Sequence, residues 1–579
     1  MSERKKECSI RMDIRAFQYS LAIKAAEQPE HRFEHLYRYI SREDWLRTAL
    51  ERVLRNKGAR TAGIDGMTKD DLKTETKQWE LIHQLHTQLR DGSYQPGPVK
   101  RIYIPKPGKD EKRPLGIPTI TDRVLQESIR MVMEPIWESK FLRCSHGFRP
   151  GHRTMDCIWT SYRNVNSTLK YFWVIEGDIR KCFDRVNHEI LLGLIGKGIN
   201  DHRLLDLCAG ILNAGVMEDG LVGPSLEGTP QGGIISPLWT NIYLNEFDQW
   251  HWNKYTGIPK MDKRKRRSHD EGNAIMSRYA DDFIVLTNAD HEKAEKMKDE
   301  IAEWFTTNLA LELNLEKTKI THASEGWDFL GFHLEYRPEQ ANRDEAWLQV
   351  VPSQKSIQRV RGKIREITSY RGRNIPEPEL FMLINAIVRG WANYYRYVNS
   401  AKIFDALDWW LNERILRRLM RHRMIGMTEV LNTFKRKQTT NSMKKACNRW
   451  NLEAGEVWLM KASDIKIRRY YPTLEKWQNP YLTIETLVED LEEQGPMVEP
   501  RFTGLHQEDG KWLELRRKVL ARDNHTCQEC GSQVDLEVHH RKGRISNGED
   551  SEANCVTLCK VCHQKRTNVQ MASKRKTDN

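Results

Sequence analysis

Residues 278–286, Arg278-Tyr279-Ala280-Asp281-Asp282-Phe283-Ile284-Val285-Leu286, decide the fold: two adjacent carboxylates stand in a turn that leads straight into a short apolar run. Adjacent aspartates repel, so they must be exposed, paired or bound to metal. In a hairpin between apolar strands, metal binding is the economical answer. Upstream, the run Tyr171-Phe172-Trp173-Val174-Ile175 ends at Glu176-Gly177-Asp178, which sets a third carboxylate at the C-terminal end of a strand. Brought together, Asp178 and Asp281 would hold two Mg²⁺ ions, which activate a 3′-hydroxyl and stabilise a leaving pyrophosphate in nucleotidyl transfer. An isolated Asp-Asp pair is more often a solvated turn, so the surroundings must carry the assignment.

Those surroundings are large and basic. The chain has 579 residues, enough for about three to five domains. Lys plus Arg number 93 against 80 Asp plus Glu, a formal net charge of +13, which points to a polyanionic partner. Apolar residues at 39% and 18 tryptophans exclude wholesale disorder. The first ten residues, MSERKKECSI, have no apolar core of the secretory kind. The longest uncharged run, 228–245, is broken by Gly, Pro, Gln and Asn, so no membrane span is expected.

Short β-branched runs (101–105, 171–175, 283–286) alternate with amphipathic helical stretches between Val99 and Phe332, an α+β or α/β pattern. Beyond Ser353 strand signals fade. Leu380, Leu383, Ile384, Ile387, Trp391, Tyr394, Tyr395 and Val398 trace one helical face, and a second helix is expected over 401–423. Its end carries Arg414, Arg417, Arg418, Arg421 and Arg423, a nucleic-acid surface rather than a merely solvated one. The basic run Lys260–Arg267 reads as an RNA-contacting insertion loop. Residues 493–504, rich in Gly, Pro and Glu, are the best linker.

The order of blocks in the middle segment resembles the reverse-transcriptase domain of group II intron-encoded proteins. The blocks are Arg101-Ile-Tyr-Ile-Pro-Lys106, Arg113-Pro-Leu-Gly-Ile-Pro118 with Asp122-Arg123, His146-Gly-Phe-Arg149 and Glu176-Gly-Asp178 with Phe183-Asp184. Then come Thr229-Pro-Gln-Gly-Gly-Ile-Ile-Ser-Pro237, Tyr279-Ala-Asp-Asp282, Asn314-Leu-Glu-Lys-Thr-Lys319 and Phe329-Leu-Gly-Phe332. Arg389-Gly-Trp-Ala-Asn-Tyr-Tyr395 looks like the family's thumb and maturase region. The resemblance implies that Asp178, Asp281 and Asp282 bind Mg²⁺, the last being the least direct ligand. It implies that Phe183 is the gate beneath the incoming sugar and selects dNTPs. Lys106 and Arg113 would lie over the triphosphate, Gln231 near nucleotide and template, and either Lys319 or Lys317 near the pyrophosphate. Gly232 and Gly233 would let backbone approach closely.

The cysteines add a second chemistry. Five of eleven fall within 36 residues: Cys527, Cys530, Cys555, Cys559 and Cys562. The CxxC pairs 527/530 and 559/562 suit a structural Zn²⁺ site, while the scattered remainder read as reduced core thiols of an intracellular protein. Between the pairs stand His539, His540 and Asn554, and His563 follows. This resembles the HNH (ββα-metal) endonuclease fold. The resemblance implies His540 as general base, His539 and His563 as ligands of one catalytic divalent ion, and Asn554 as an orienting residue. Many members carry a further ligand where this chain has Thr567 and Asn568.

The expected architecture is multidomain α+β: a right-hand polymerase with a helical thumb and a small zinc-stapled nuclease. The divisions are an N-terminal extension and start of the fingers at 1–95 and fingers and palm at 96–340. Thumb and maturase follow at 341–425, a DNA-binding region and linker at 426–510, and the HNH domain at 511–579. The partners implied are group II intron RNA, target DNA and dNTPs, with no membrane and a bacterial cytoplasmic, nucleoid-associated location. The implied activity is intron splicing and retrohoming. The rivals are a domesticated splicing factor and a free-standing defence or repair reverse transcriptase.

Overall fold

The structure is a computed structural model. It describes residues 13–105, 112–218, 220–223, 227–230, 232–269, 271–314, 316–337, 347–369, 375–442, 445–470, 472, 479–482, 515, 518–524, 526–531, 536–540, 551–559 and 562. For 347, 437–442, 445–450, 536, 537 and 540 it describes the backbone. Two compact units divide the chain between Leu491 and Glu492.

In the first unit, strands β1 (Val99–Pro105), β2 (Lys112–Ile117), β4 (Val216–Glu218) and β5 (Leu221–Gly223) form a sheet in the order β2-β1-β4-β5. The carboxylate sheet is built from β3 (Trp173–Asp178), β6 (Ala274–Tyr279), β7 (Asp282–Thr287) and β8 (Lys319–His322), in the order β6-β7-β3-β8 with antiparallel neighbours. The run Phe283–Leu286 is apolar throughout because β7 is covered on both faces. Phe283 and Val285 enter a core with the helices Glu43–Arg55, Ile120–Glu138 and Ser236–His251. Ile284 and Leu286, on the opposite face, enter a second core shared with the following helices. Alternate side chains of a strand point to opposite faces, so a strand between two cores must be apolar at every position.

That second core continues through β9 (Trp327–Phe329), β10 (Phe332–Arg337) and β11 (Trp347–Pro352), an antiparallel sheet. It then takes in the helices Gln354–Ile367, Glu377–Tyr395 and Ala401–Arg423. The helix Ala401–Arg423 spans the stretch read from the sequence. The helix Glu377–Tyr395 is rotated from the expected face: Leu380, Phe381, Ile384, Val388, Ala392 and Tyr395 are buried, whereas Leu383 and Tyr394 are exposed. The expected face is centred too far to one side: at about 100° per residue, Leu383 and Tyr394 lie about 60° and 40° from Leu380, on the side away from Phe381, Val388 and Ala392.

Residues 260–268 form a helix rather than the expected loop. Its nine residues bury none of themselves, and Lys and Arg are good helix formers. Lys263 Nζ and Arg266 Nε donate to the carbonyls of Thr256 and Gly272 and tie the helix down. Further along, β12 (Lys435–Ser442), β13 (Lys445–Ala454) and β14 (Val457–Trp458) make a third antiparallel sheet in a stretch whose sequence gave no strand signal. No helix among the described residues is long and apolar enough to cross a membrane.

The second unit contains β15 (Leu536–His540) paired antiparallel with β16 (Cys555–Cys559) over a small core of Cys527, Val556, Leu558, Cys559 and Cys562.

Candidate active site

Strand pairing brings the three aspartates together. Asp178 ends β3 directly opposite Asp282, which begins β7, and Asp281 occupies the two-residue turn with Ala280 between β6 and β7. Burial, then repulsion from Asp178, raises the Asp281 carboxyl above its ordinary range. Desolvation, then the charges of Asp281 and Asp178, pushes Asp282 up to about 6. Arg113 and Lys317 pull the other way on Asp282. Two carboxylates driven toward protonation by burial and by their acidic neighbours, with Asp178 beside them, are a donor set that calls for cations. Lys317 already supplies one, its Nζ 2.6 Å from Asp178 Oδ2. Oxygen donors of this kind fit a hard divalent ion.

Asp178 and Asp281 line a cleft of about 830 Å³; Asp282 is not among its lining residues. Arg101, Lys112, Arg113, Arg180, Lys181 and Lys317 also line it, so cationic side chains outnumber the carboxylates in its wall. The turn carrying Lys317 is docked on the same strand, since Asn314 N donates to the Asp178 carbonyl and Lys317 N to that of Asn314. Lys319 lies instead on β8, paired with Glu176, and does not line the cleft. Of the two lysines left open by the sequence, the structure places Lys317 in the recess.

Phe183 sits in the cleft wall, on the short turn Cys182–Asp184 that follows β3. Thr229 N donates to its carbonyl at 2.7 Å, so the 229–233 turn is braced against the Phe183 turn. At Gly232, with φ +120°, a Cβ would lie 2.6 Å from the Gly116 carbonyl oxygen of β2. At Gly232 the β2 backbone thus comes too close for any side chain. Lys106 and Gln231 lie outside the described residues.

What holds the aspartate turn was not visible as a motif. The Arg278 guanidinium, fully buried, is paired with the fully buried Asp248 carboxylate. It also donates to Asn241 Oδ1 at 3.1 Å, Ser145 Oγ at 2.8 Å and the Ala280 carbonyl at 2.8 Å, inside the turn itself. Asn241 and Asp248 lie seven residues apart on the helix Ser236–His251, two turns along one face. Asn241 in turn donates to the Gly147 carbonyl at 2.8 Å. Ala280 has φ +59°, a conformation costing on the order of 1–3 kcal/mol outside glycine. At Gly147 a Cβ would lie 2.2 Å from Ala280 N, so only glycine lets the 145–149 segment press on the turn. The seven-residue spacing was the one available signal, and it is common to most amphipathic helices.

The same segment carries a hydrogen-bond knot. His146 Nδ1 and His152 Nδ1 are 3.0 Å apart, with Asp156 close by. Asp156 accepts from Arg153 N at 2.7 Å and from the Tyr470 hydroxyl. Burial, then nearby charge including Arg149, holds both imidazoles neutral, His152 at about 3.

In the second unit, Cys527, Cys530, Cys559 and Cys562 bring their sulfurs within 4.8 Å of one another. Burial opposes ionisation of Cys527, but backbone hydrogen bonds from Cys559, Cys530 and Glu529 bring its thiol down to about 6. Four converging sulfurs, one of them readily ionised, fit a tetrahedral soft cation. The β15–β16 register sets His539 opposite Val556 and His540 opposite Cys555, one residue from Asn554. His539 is buried, and the side chain of His540 lies outside the description, as do His563, Thr567 and Asn568.

The reverse transcriptase (RNA-dependent DNA polymerase) family matches residues 104–334, the group II intron maturase-specific domain 357–449, and the HNH endonuclease family 527–569. Protein YkfC of Escherichia coli is 37% identical over 340 residues, covering 56% of this chain and 88% of that protein. The group II intron-encoded protein LtrA of Lactococcus lactis subsp. cremoris is 35% identical over 350 residues, covering 53% of this chain. The chain belongs to the group II intron-encoded proteins. As a member of that family it is multifunctional, joining a reverse-transcriptase domain, a maturase domain and an HNH endonuclease domain. The match spans 57% of the length of LtrA. A putative COX1/OXI3 intron 2 protein of Saccharomyces cerevisiae aligns more widely, at 24% identity over 90% of this chain and 64% of its own length. For a group II intron-encoded protein the paired carboxylates and the four-cysteine cluster are consistent with metal-dependent polymerase and nuclease chemistry.

Proposed function

We propose that the chain copies group II intron RNA into DNA at a target site that its own HNH domain has nicked, having first bound that intron and assisted its splicing. The observation that carries the polymerase half is the convergence of Asp178, Asp281 and Asp282 beside a cationic cleft of nucleotide size. Asp178 and Asp281 hold two Mg²⁺ ions, with Asp282 behind them. When bound, the ions supply activation of the primer 3′-hydroxyl and neutralisation of the leaving pyrophosphate. Arg113 and Lys317 cradle the triphosphate, a forked guanidinium and an ammonium suiting phosphate oxygens. Phe183 closes the floor beneath the sugar and excludes a 2′-hydroxyl. Lys106 and Gln231 complete the site on the strength of the sequence motifs.

In the second unit we assign Zn²⁺ to the four cysteines, and to His540 the deprotonation of the attacking water, with Asn554 orienting it. His539 and His563 hold one divalent ion, assigned as Mg²⁺. The right-hand architecture follows: fingers and palm over 96–340, thumb and maturase over 341–425, DNA-binding region over 426–510 and ββα-metal nuclease over 511–579. Intron RNA engages the basic helical face, where Arg361 and Arg365 stack over Trp410 at 5.3 and 5.6 Å. The setting is the bacterial cytoplasm, on nucleoid DNA.

Primer extension on an RNA template, with Mg²⁺ and dNTPs, tests the polymerase reading. Wild type extends the primer, and Asp281→Ala loses extension by at least about a thousandfold, the scale of removing a metal-held transition-state contact. Equal extension by both proteins rules the assignment out.

A further inference from the structure

We propose that Phe148 is a positioning residue for sugar discrimination: its ring holds the Phe183 ring in the orientation that closes the nucleotide site to a 2′-hydroxyl. The inference rests on the gate reading of Phe183 above. Phe148 has φ +61° and is 54% exposed. A bulky aromatic residue in the left-handed region is a genuine outlier, and such strain gathers at functional sites. An exposed phenyl ring also gains little from burial, so neither the backbone nor the side chain of Phe148 is where folding alone would put it.

Both neighbours of Phe148 are fixed. Gly147 lies against the Asp281 turn, where no Cβ fits, and its carbonyl accepts from Asn241. Arg149 is buried, paired with the buried Glu138 at 2.9 Å, and donates to the carbonyls of Leu142 and Ser145 at 2.8 and 2.7 Å. Between these anchors residue 148 presents its ring to Phe183. The two rings meet edge to face, with centroids 6.2 Å apart and planes at 87°. The Phe183 backbone is braced separately, its carbonyl accepting from Thr229 N at 2.7 Å. A gate rejects a 2′-hydroxyl only if its ring cannot swing away under the contact. Thr229 fixes where that ring starts, and Phe148 resists its rotation.

Single-nucleotide incorporation by the full chain tests this, comparing the kcat/KM of an rNTP with that of the matching dNTP. Phe183→Ala should relax discrimination strongly. Phe148→Ala should relax it about two- to tenfold, the scale of one aromatic edge-to-face contact. Phe148→Leu should behave like the alanine variant, and Phe148→Tyr, which keeps the ring, should discriminate as wild type does. In the Phe183→Ala background, Phe148→Ala should add nothing, because a residue that acts through Phe183 has nothing left to hold. Relaxation of equal size in both backgrounds overturns the proposal, since Phe148 then acts on its own. Relaxed Phe183→Ala with wild-type discrimination in both Phe148→Ala and Phe148→Leu also overturns it, and leaves the gate reading standing. If Phe183→Ala itself discriminates normally, the gate reading fails and the proposal fails with it.

Discussion

Around Asp281 a buried guanidinium does the holding, whereas around Cys527 the sulfurs themselves do. The aspartate turn is fixed by Arg278, Asp248, Asn241 and Ser145, all within the protein and all buried, on a strand sealed between two apolar cores. Among the described residues the core at the cysteine cluster has five members, three of them the cysteines themselves. The first site is organised by its own buried partners; at the second, a cation held by the four sulfurs would supply much of the organisation. The strength of a metal's grip therefore differs in kind between the two: a ligand taken up by a finished site in one case, part of the fold in the other.

The largest effect expected from breaking the first arrangement comes from Asp248→Asn. It leaves Arg278 buried with its charge uncompensated, and the first unit should lose about 3–5 kcal/mol of stability, read by chemical denaturation. A loss below about 1 kcal/mol would mean that the guanidinium is not what organises the turn. Next in size is a pH effect. The Asp282 carboxyl is raised to about 6 by desolvation and its acidic neighbours, so its protonated form is favoured below that pH and above it the charged form, whose negative charge would favour cations at Asp178 and Asp281. Primer extension should fall by about tenfold per unit below pH 6, and more Mg²⁺ should move the limb to lower pH because cation and proton compete. A limb indifferent to Mg²⁺ would place the titrating group elsewhere. Smallest is Tyr470→Phe, which deletes one hydroxyl donor to the buried Asp156 and should cost about 1 kcal/mol.

The contrast also governs what the sequence discloses. Asp178, Asp281 and Asp282 were legible as a set because the blocks around them run in the family's order, which the Asp-Asp pair alone leaves open, and the four cysteines because double CxxC spacing suits a tetrahedral site. The apolar run of β7 announced a strand, though not that both of its faces were covered. Arg278 lay in plain view within the decisive stretch, but its partner Asp248 is 30 residues away in sequence, on a helix whose polar residues look like any solvated face. The helix Lys260–Ser268 was read as a loop because a basic run with no apolar stripe has no periodicity to detect. Strands β12 and β13 escaped for the same reason: their sequence, Lys435–Ser442 and Lys445–Ala454, is largely polar. Which of Lys317 and Lys319 lines the cleft needed the β8 register, which carries Lys319 to Glu176 and leaves Lys317 beside Asp178.

The most direct test is to break the cysteine cluster in the full chain and read both activities in one preparation. Cys527→Ser combined with Cys559→Ser should abolish bound zinc and reduce DNA nicking by more than about a hundredfold, because that site is folded by its cation. RNA-templated primer extension should stay within about twofold of wild type, because the groups that hold the aspartate turn all belong to the first unit. Polymerase activity that falls in step with nicking would contradict the account, for the aspartate turn would then depend on the C-terminal metal rather than on its own buried arginine.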